Sequence, residues 1–201
     1  MGRLVTGAFL FGSSALLDPI VDKRAQRYDG VSAQTVIDVG NAIPFVAFGL
    51  AGLSWLSQPD TEQGELGFAA ASAGVSAVLA AEAVKLVVDR ARPSDNLGAR
   101  NFGDTPRAQS SFPSLHTTLA WAVLTPYAKQ YDAPWLYAAA ALTNVARVTG
   151  RNHWFSDTVA GALTGYWFGD YFYRRNTAST DEPGTRVWVT PRSVVLTVPF
   201  K

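Results

Sequence analysis

The chain has two histidines, and each lies in a short polar island within an otherwise apolar sequence. One island reads Ser111-Phe-Pro-Ser-Leu-His116-Thr117-Thr118. Proline leads into a helix start there, with Ser114 and His116 in the first turn. Unpaired backbone N–H groups at a helix start make an anion site, and a serine hydroxyl adds a donor. His116 can reach the same anion and supply a proton. Another island reads Arg147-Val-Thr-Gly-Arg-Asn-His153-Trp-Phe-Ser-Asp157. Gly150 breaks one helix and the next starts nearby, so His153 and Asp157, at i and i+4, are expected on one helix face. A carboxylate on a histidine's far nitrogen fixes the tautomer and leaves the other nitrogen free to attack an electrophile. Arg147 offers forked donors to phosphate oxygens. The third island, Lys85 to Pro93, carries Lys85 and Arg92. If its helix runs on to Arg92, the spacing is about two turns and puts both cations on one face. Asp89 and Arg90 read as neighbours rather than ligands.

Each island also has a structural reading: cations favoured at a helix C-terminus, a serine N-cap beside an incidental histidine, an ion pair at a helix start. Chemistry is favoured by their conjunction, because both histidines and the converging cations fall in the islands. Lys85, Arg92, Ser114, His116, Arg147, His153 and Asp157 form one ordered set, and here the sequence resembles the type 2 phosphatidic acid phosphatase superfamily. That superfamily also includes bacterial acid phosphatases and vanadium haloperoxidases. Its pattern is Lys, six residues, Arg-Pro; Pro-Ser-x-His; and Arg, five residues, His, three residues, Asp. In this chain it reads Lys85…Arg92-Pro93, Pro113-Ser114-Leu115-His116 and Arg147…His153…Asp157, over about residues 43 to 173.

The resemblance implies a metal-independent phosphatase acting on a phosphate monoester or diphosphate through a phosphohistidine on His153. Asp157 would orient His153. Lys85, Arg92, Arg147, Ser114 and the backbone amides near Leu115 and His116 would bind the phosphoryl oxygens. His116 would protonate the leaving oxygen and then activate water. No cofactor is expected, since no carboxylate cluster fits magnesium. Two positions depart from the pattern. Leu115 stands where Gly is frequent and could narrow the pocket, and Ala146 stands where Ser is common, which removes a hydrogen bond. Alternatives within the resemblance are a soluble non-specific acid phosphatase, a phosphotransferase and a vanadium-dependent haloperoxidase.

The elements that must position these residues are helices. Apolar segments centred on Ile43–Leu56, Leu66–Val88, Leu115–Ala128, Trp135–Val148 and Asp157–Tyr173 alternate with short polar joints. The expected fold is all-α, a bundle of about five to six core helices over residues 1–175. Residues 176–201 read as a polar linker and a small C-terminal β-hairpin packed on the same domain. The run Leu4–Leu17 reads either as a signal peptide or, preferred for want of a clear cleavage site, as a first core helix ended at Asp18-Pro19.

Composition bounds the partners. Hydrophobic residues make up 48% of the 201 residues and charged ones 16%, below the roughly 25% usual in soluble domains, yet mean hydropathy is only +0.06. Membrane placement is therefore open, as no segment gives an unambiguous 18-residue apolar run. A net charge of +1 gives no basic field for nucleic acid, and the lack of cysteine excludes disulfides and thiolate chemistry. Trp121, Trp154, Trp167 and Phe168 favour an amphiphilic substrate or simply fill the core. The expected partner is a lipid or small phosphorylated substrate, at a membrane surface. The expected location is the cell envelope with an extracytoplasmic, periplasmic site, a soluble periplasmic enzyme being the alternative.

Overall fold

The computed structural model describes the backbone of residues 2–28, 30–103, 110–181, 186–190 and 193–197, and the side chains of 6–28, 30–103 and 110–177. Six helices follow in order: α1 (Gly2–Ala25), α2 (Val31–Ser57), α3 (Glu62–Val88), α4 (Leu115–Gln130), α5 (Trp135–Thr149) and α6 (Phe155–Asp181). α4 sits in the middle, against α2, α3, α5 and α6, while α1 packs along α6. Helices α1, α3 and α5 run towards one end of the bundle, and α2, α4 and α6 leave from it. All three polar islands therefore meet at that end.

Small residues let the helices approach closely. Ala51, Ala70, Ala73, Ala77, Ala120, Ala122, Ala140 and Ala146 are wholly buried. α6 lies so near α4 that a Cβ at Gly165 would sit 2.3 Å from the Thr118 carbonyl oxygen. Such small-residue seams drive helix association where burial of apolar surface from water does not. Local signals set the ends. Thr61 caps α3, its Oγ1 accepting the Gly64 N–H at 3.1 Å, with Glu62 and Glu65 favoured by the dipole of the first turn. Asp89 ends α3 in a left-handed conformation, φ 39°.

Several boundaries differ from the sequence expectation. α1 runs through Pro19 to Ala25 rather than ending at Asp18-Pro19. α2 and α3 are 27 residues each, and each contains an 18-residue stretch of mean hydropathy 1.7, long and apolar enough to cross a bilayer. The expected apolar segment Ile43–Leu56 is shorter than α2 because Asn41 and Ser57 border it, and a helix accommodates such polar residues without interruption. Large apolar side chains on α2, namely Val39, Phe45, Val46, Leu50, Leu53 and Leu56, point outwards. A helix exposing that much apolar surface needs a partner other than water. α6 continues to Asp181, so the expected polar linker from Asn176 is helical over its first part. Trp121 and Trp154 are core residues, each with its indole N–H bonded, to Asn144 Oδ1 at 3.0 Å and to the Ala91 carbonyl at 2.7 Å.

The helical body accounts for the architecture. Of the expected C-terminal hairpin, the described residues contain the antiparallel backbone pairing of β1 (Arg186–Thr190) with β2 (Ser193–Thr197). Residues 191–192, which join the strands, lie outside the described residues.

Candidate active site

Each island is delivered by a helix end. Lys85 lies in the last turn of α3, buried, its Nζ donating to the Ser110 carbonyl at 2.8 Å. The left-handed Asp89 ends the helix before Arg92, so Lys85 and Arg92 do not share a helix face. Arg92 instead precedes a single 3₁₀ turn, Pro93–Asp95, where its backbone N–H donates to Asp95 Oδ2 at 2.9 Å. The tertiary fold still sets the two cations within each other's field, together with Arg147 and Asp157.

Ser114 is the buried N-cap residue of α4, and its hydroxyl accepts from Thr117 Oγ1 at 3.1 Å. Its N–H donates to the Asp157 carbonyl at 3.1 Å, which ties the start of α4 to that of α6. Leu115, half-buried, opens α4. His116 follows in the first turn, with its ring edge-on to Phe45 at 5.1 Å between centroids. Arg147 ends α5, buried, with one terminal nitrogen donating to Asn41 Oδ1 at 2.9 Å. Its buried Nε has no hydrogen-bond partner among the described residues. A buried, unspent guanidinium N–H is what an anion-binding arginine presents before the anion arrives. The departure at Ala146 has a packing reason: a Cβ on Gly40 of α2 would lie 2.4 Å from the Ala146 Cβ, so α2 and α5 nearly touch there.

His153 lies in the turn between α5 and α6, not on α6. Its Nδ1 is 2.6 Å from the Ser111 carbonyl oxygen, an acceptor only, so Nδ1 carries the proton and Nε2 the lone pair. Asp157 is 3.8 Å from the same nitrogen, too far for a hydrogen bond. Its oxygens are taken elsewhere: Oδ1 accepts from Arg90 at 2.5 Å and Oδ2 from the Trp154 N–H at 2.8 Å. The orienting carbonyl is thus Ser111's, and Asp157 acts on His153 as a charge. The ring-to-carboxylate hydrogen bond expected from the i, i+4 spacing is replaced because His153 precedes the helix that carries Asp157.

Both imidazoles are held neutral more strongly than a free histidine. Burial pushes His153 below its ordinary value, opposed by Asp157 and reinforced by Arg147 and Lys85. Burial, then the charges of Arg147, His153, Lys85 and Arg92, pushes His116 down to about 4. Burial and Arg92 lower Arg147 to about 10, still charged at neutral pH. The arrangement sets a group of cations beside an imidazole lone pair, with a second imidazole within the field of the first. It can bind a tetrahedral oxyanion and attack it. Among the described residues no three of His, Asp, Glu and Cys cluster as metal ligands would.

Sequence reasoning missed five residues that hold this site. Arg90 is a buried hub rather than a neighbour. Asp18 on α1 pairs with Arg90, while Asp22 on α1 pairs with Arg151 at 2.9 Å, and Arg151 also donates to the Pro93 carbonyl at 2.6 Å, fastening the turn beside Arg92. Asn41 holds Arg147. Polar residues inside apolar helical runs, Asp18 and Asn41 above all, were the available signal.

The fold is a helical bundle with the three polar islands gathered at one end, and the PAP2 superfamily pattern matches residues 65–181, more than half of the sequence. The chain belongs to the PAP2 superfamily. Over 95 residues it is 33% identical to a lipid A 1-phosphatase of Porphyromonas gingivalis, a match covering 39% of this chain and 21% of that protein. The chain thus spans about a fifth of the length of that curated relative. Its fold is similar, at a TM-score of 0.63 and 16% identity, to the crystal structure of a transmembrane PAP2 type phosphatidylglycerolphosphate phosphatase from Bacillus subtilis. The superposition covers 90% of this chain and 98% of that one.

Proposed function

We propose that this protein is a membrane-associated lipid phosphatase that cleaves a phosphate monoester or diphosphate through a phosphohistidine on His153. The observation that carries the reading is the pairing of a neutral His153, its Nδ1 spent on the Ser111 carbonyl, with an unspent Arg147 N–H in one cationic pocket. The Nε2 lone pair attacks phosphorus in line, and the P–O bond to the leaving group breaks with its electron pair passing to that oxygen. His116 donates the proton that this oxygen takes up. Lys85, Arg92, Arg147, Ser114 and the amides at Leu115 and His116 hold the three other oxygens, and this positioning and charge balance supply most of the catalysis. In the second step His116 takes a proton from water, whose oxygen attacks phosphorus and frees His153. Asp157 stabilises the positive charge on the phosphoimidazole.

An amphiphilic substrate is supported by the outward apolar faces of α2 and α3 and by the lipid phosphatase named above as a relative. With those two helices across a bilayer, the pocket opens at one membrane face, and we assign it to the extracytoplasmic side of the cell envelope. We assign the catalytic chemistry to residues 1–175.

The test is phosphate release in EDTA from p-nitrophenyl phosphate, dioctanoyl phosphatidic acid and farnesyl diphosphate, wild type beside His153→Ala. The expected result is metal-independent release that the variant loses, with the lipid substrates preferred. Full activity in the variant refutes the mechanism. Preference for p-nitrophenyl phosphate points to a soluble-type acid phosphatase, and product that depends on an added alcohol points to a phosphotransferase. Inactivity on all three, with vanadate-dependent halide oxidation, assigns the pocket to a haloperoxidase.

A further inference from the structure

Arg90 lies outside the residues that would touch phosphate, yet it is buried, and all five of its N–H groups are used. Nε and one terminal nitrogen donate to the Ala99 carbonyl at 3.1 and 2.7 Å. The other terminal nitrogen donates to Asp157 Oδ1 at 2.5 Å and Ser156 Oγ at 2.8 Å. The nitrogen facing Ala99 also reaches Asp18 Oδ2 on α1 at 2.7 Å. Phe102 and Trp154 lie over the guanidinium at 5.6 and 5.4 Å. Asp18, 1% exposed, accepts the Ser156 N–H at 2.8 Å and its hydroxyl at 2.6 Å.

The charge count of this cluster matters for the reaction. Arg90 paired with Asp157 alone would be neutral, and Asp157 could no longer balance a positive charge forming on His153. A second buried carboxylate on the same guanidinium leaves the cluster with one net negative charge. We infer that Asp18, acting through Arg90, is a positioning residue that fixes the Asp157 carboxylate and restores the negative charge beside His153. It rests on the reading of His153 and Asp157 as the reacting pair. It also makes α1, which lies outside the residues matched by the superfamily pattern, part of the catalytic apparatus.

The charged and titratable groups facing His153 come from every neighbouring element: Lys85 on α3, Arg90 and Arg92 in the loop that follows, His116 on α4, Arg147 on α5, Asp157 on α6, and Asp18 on α1 behind Arg90. Removing the Asp18 charge takes one negative charge from this set, which disfavours the imidazolium. The protonation midpoint of His153 must then fall. A purely structural Asp18 would change stability and leave that midpoint in place.

The test uses the full chain in detergent. Turnover of dioctanoyl phosphatidic acid is measured for wild type, Asp18→Asn and Arg90→Lys, and the His153 midpoint by ¹⁵N-imidazole spectra in a His116→Gln background, where one histidine remains. Expected are a kcat lowered about tenfold in Asp18→Asn with KM changed less than about twofold, and a midpoint lower by about half a unit or more. Arg90→Lys keeps the charge but cannot bridge both carboxylates, and falls between. A folded Asp18→Asn with unchanged kcat and unchanged midpoint overturns the inference. If Asp18→Asn does not fold, Arg90→Lys is read alone, and unchanged kcat and midpoint in that folded variant overturn the inference. If the wild type releases no phosphate from any substrate, the functional reading fails and the midpoint alone decides the charge effect.

Discussion

Gly161 is the point at which the seam between α4 and α6 touches the site. A Cβ there would lie 2.6 Å from the Ser114 carbonyl oxygen, 3.1 Å from Thr118 Oγ1 and 3.3 Å from the Thr117 Cβ. The carbonyl is backbone within the first turn of α4, so α6 must give way. Restoring ordinary contact at 3.4 Å withdraws α6 from α4 by about 0.8 Å. That motion opens the Ser114 N–H to Asp157 carbonyl bond, 3.1 Å long, and separates the anion-binding turn from the helix that carries Asp157. A misplacement of about 1 Å costs on the order of 10²-fold in rate, so Gly161→Ala is expected to lower kcat by about 30- to 100-fold. Overpacking destabilises by about 1–3 kcal/mol. Gly169→Ala is the control. Its Cβ would meet the Thr125 Cβ at 2.6 Å and the Ala122 carbonyl at 2.8 Å, a similar clash about two turns further from the site. Both variants should unfold at similarly lowered denaturant concentrations, while Gly161→Ala loses at least ten times more activity in phosphate release. Equal loss of activity in the two would refute the argument that the seam positions the site.

Other consequences follow from the same geometry. Asn41→Ala frees one terminal nitrogen of Arg147; a hydrogen bond to a charged group contributes about 1.5–3 kcal/mol, so orthovanadate should inhibit about tenfold more weakly or worse. Unaltered inhibition would mean that Asn41 does not hold the anion-binding arginine. Attack needs His153 unprotonated, so activity is lost as pH falls through its pKa, and leaving-group departure needs His116 protonated, so activity is lost as pH rises through that one. Both are displaced downwards, His116 to about 4 before substrate binds, and the dianionic phosphate then raises it. The kcat profile should therefore peak on the acid side of neutrality. A maximum above about pH 8 would contradict these assignments.

What could be read without coordinates was the family pattern and the helical class of fold. Ser114 two residues before His116 is a spacing within a single turn, and Arg147 six before His153 spans one short helix-to-helix joint, so local geometry limits what these side chains can reach. Apolar runs of helical length between polar joints sufficed for an all-α bundle. Element lengths were harder: Asn41 and Ser57 border the apolar segment, but a helix bonds its own backbone and tolerates isolated polar side chains. The tertiary structure alone decided what pairs with what. Lys85 and Arg92 act together through a chain reversal at Asp89 rather than a common helix face. His153 takes the Ser111 carbonyl, 42 residues away, in place of Asp157, four away. Asp157 goes instead to Arg90, and Arg90 to Asp18 at a separation of 72 residues. A motif records which groups a reaction needs. Which buried charge neutralises which depends on three helix ends packed from distant parts of the chain, and short-range sequence spacing carries no information about that.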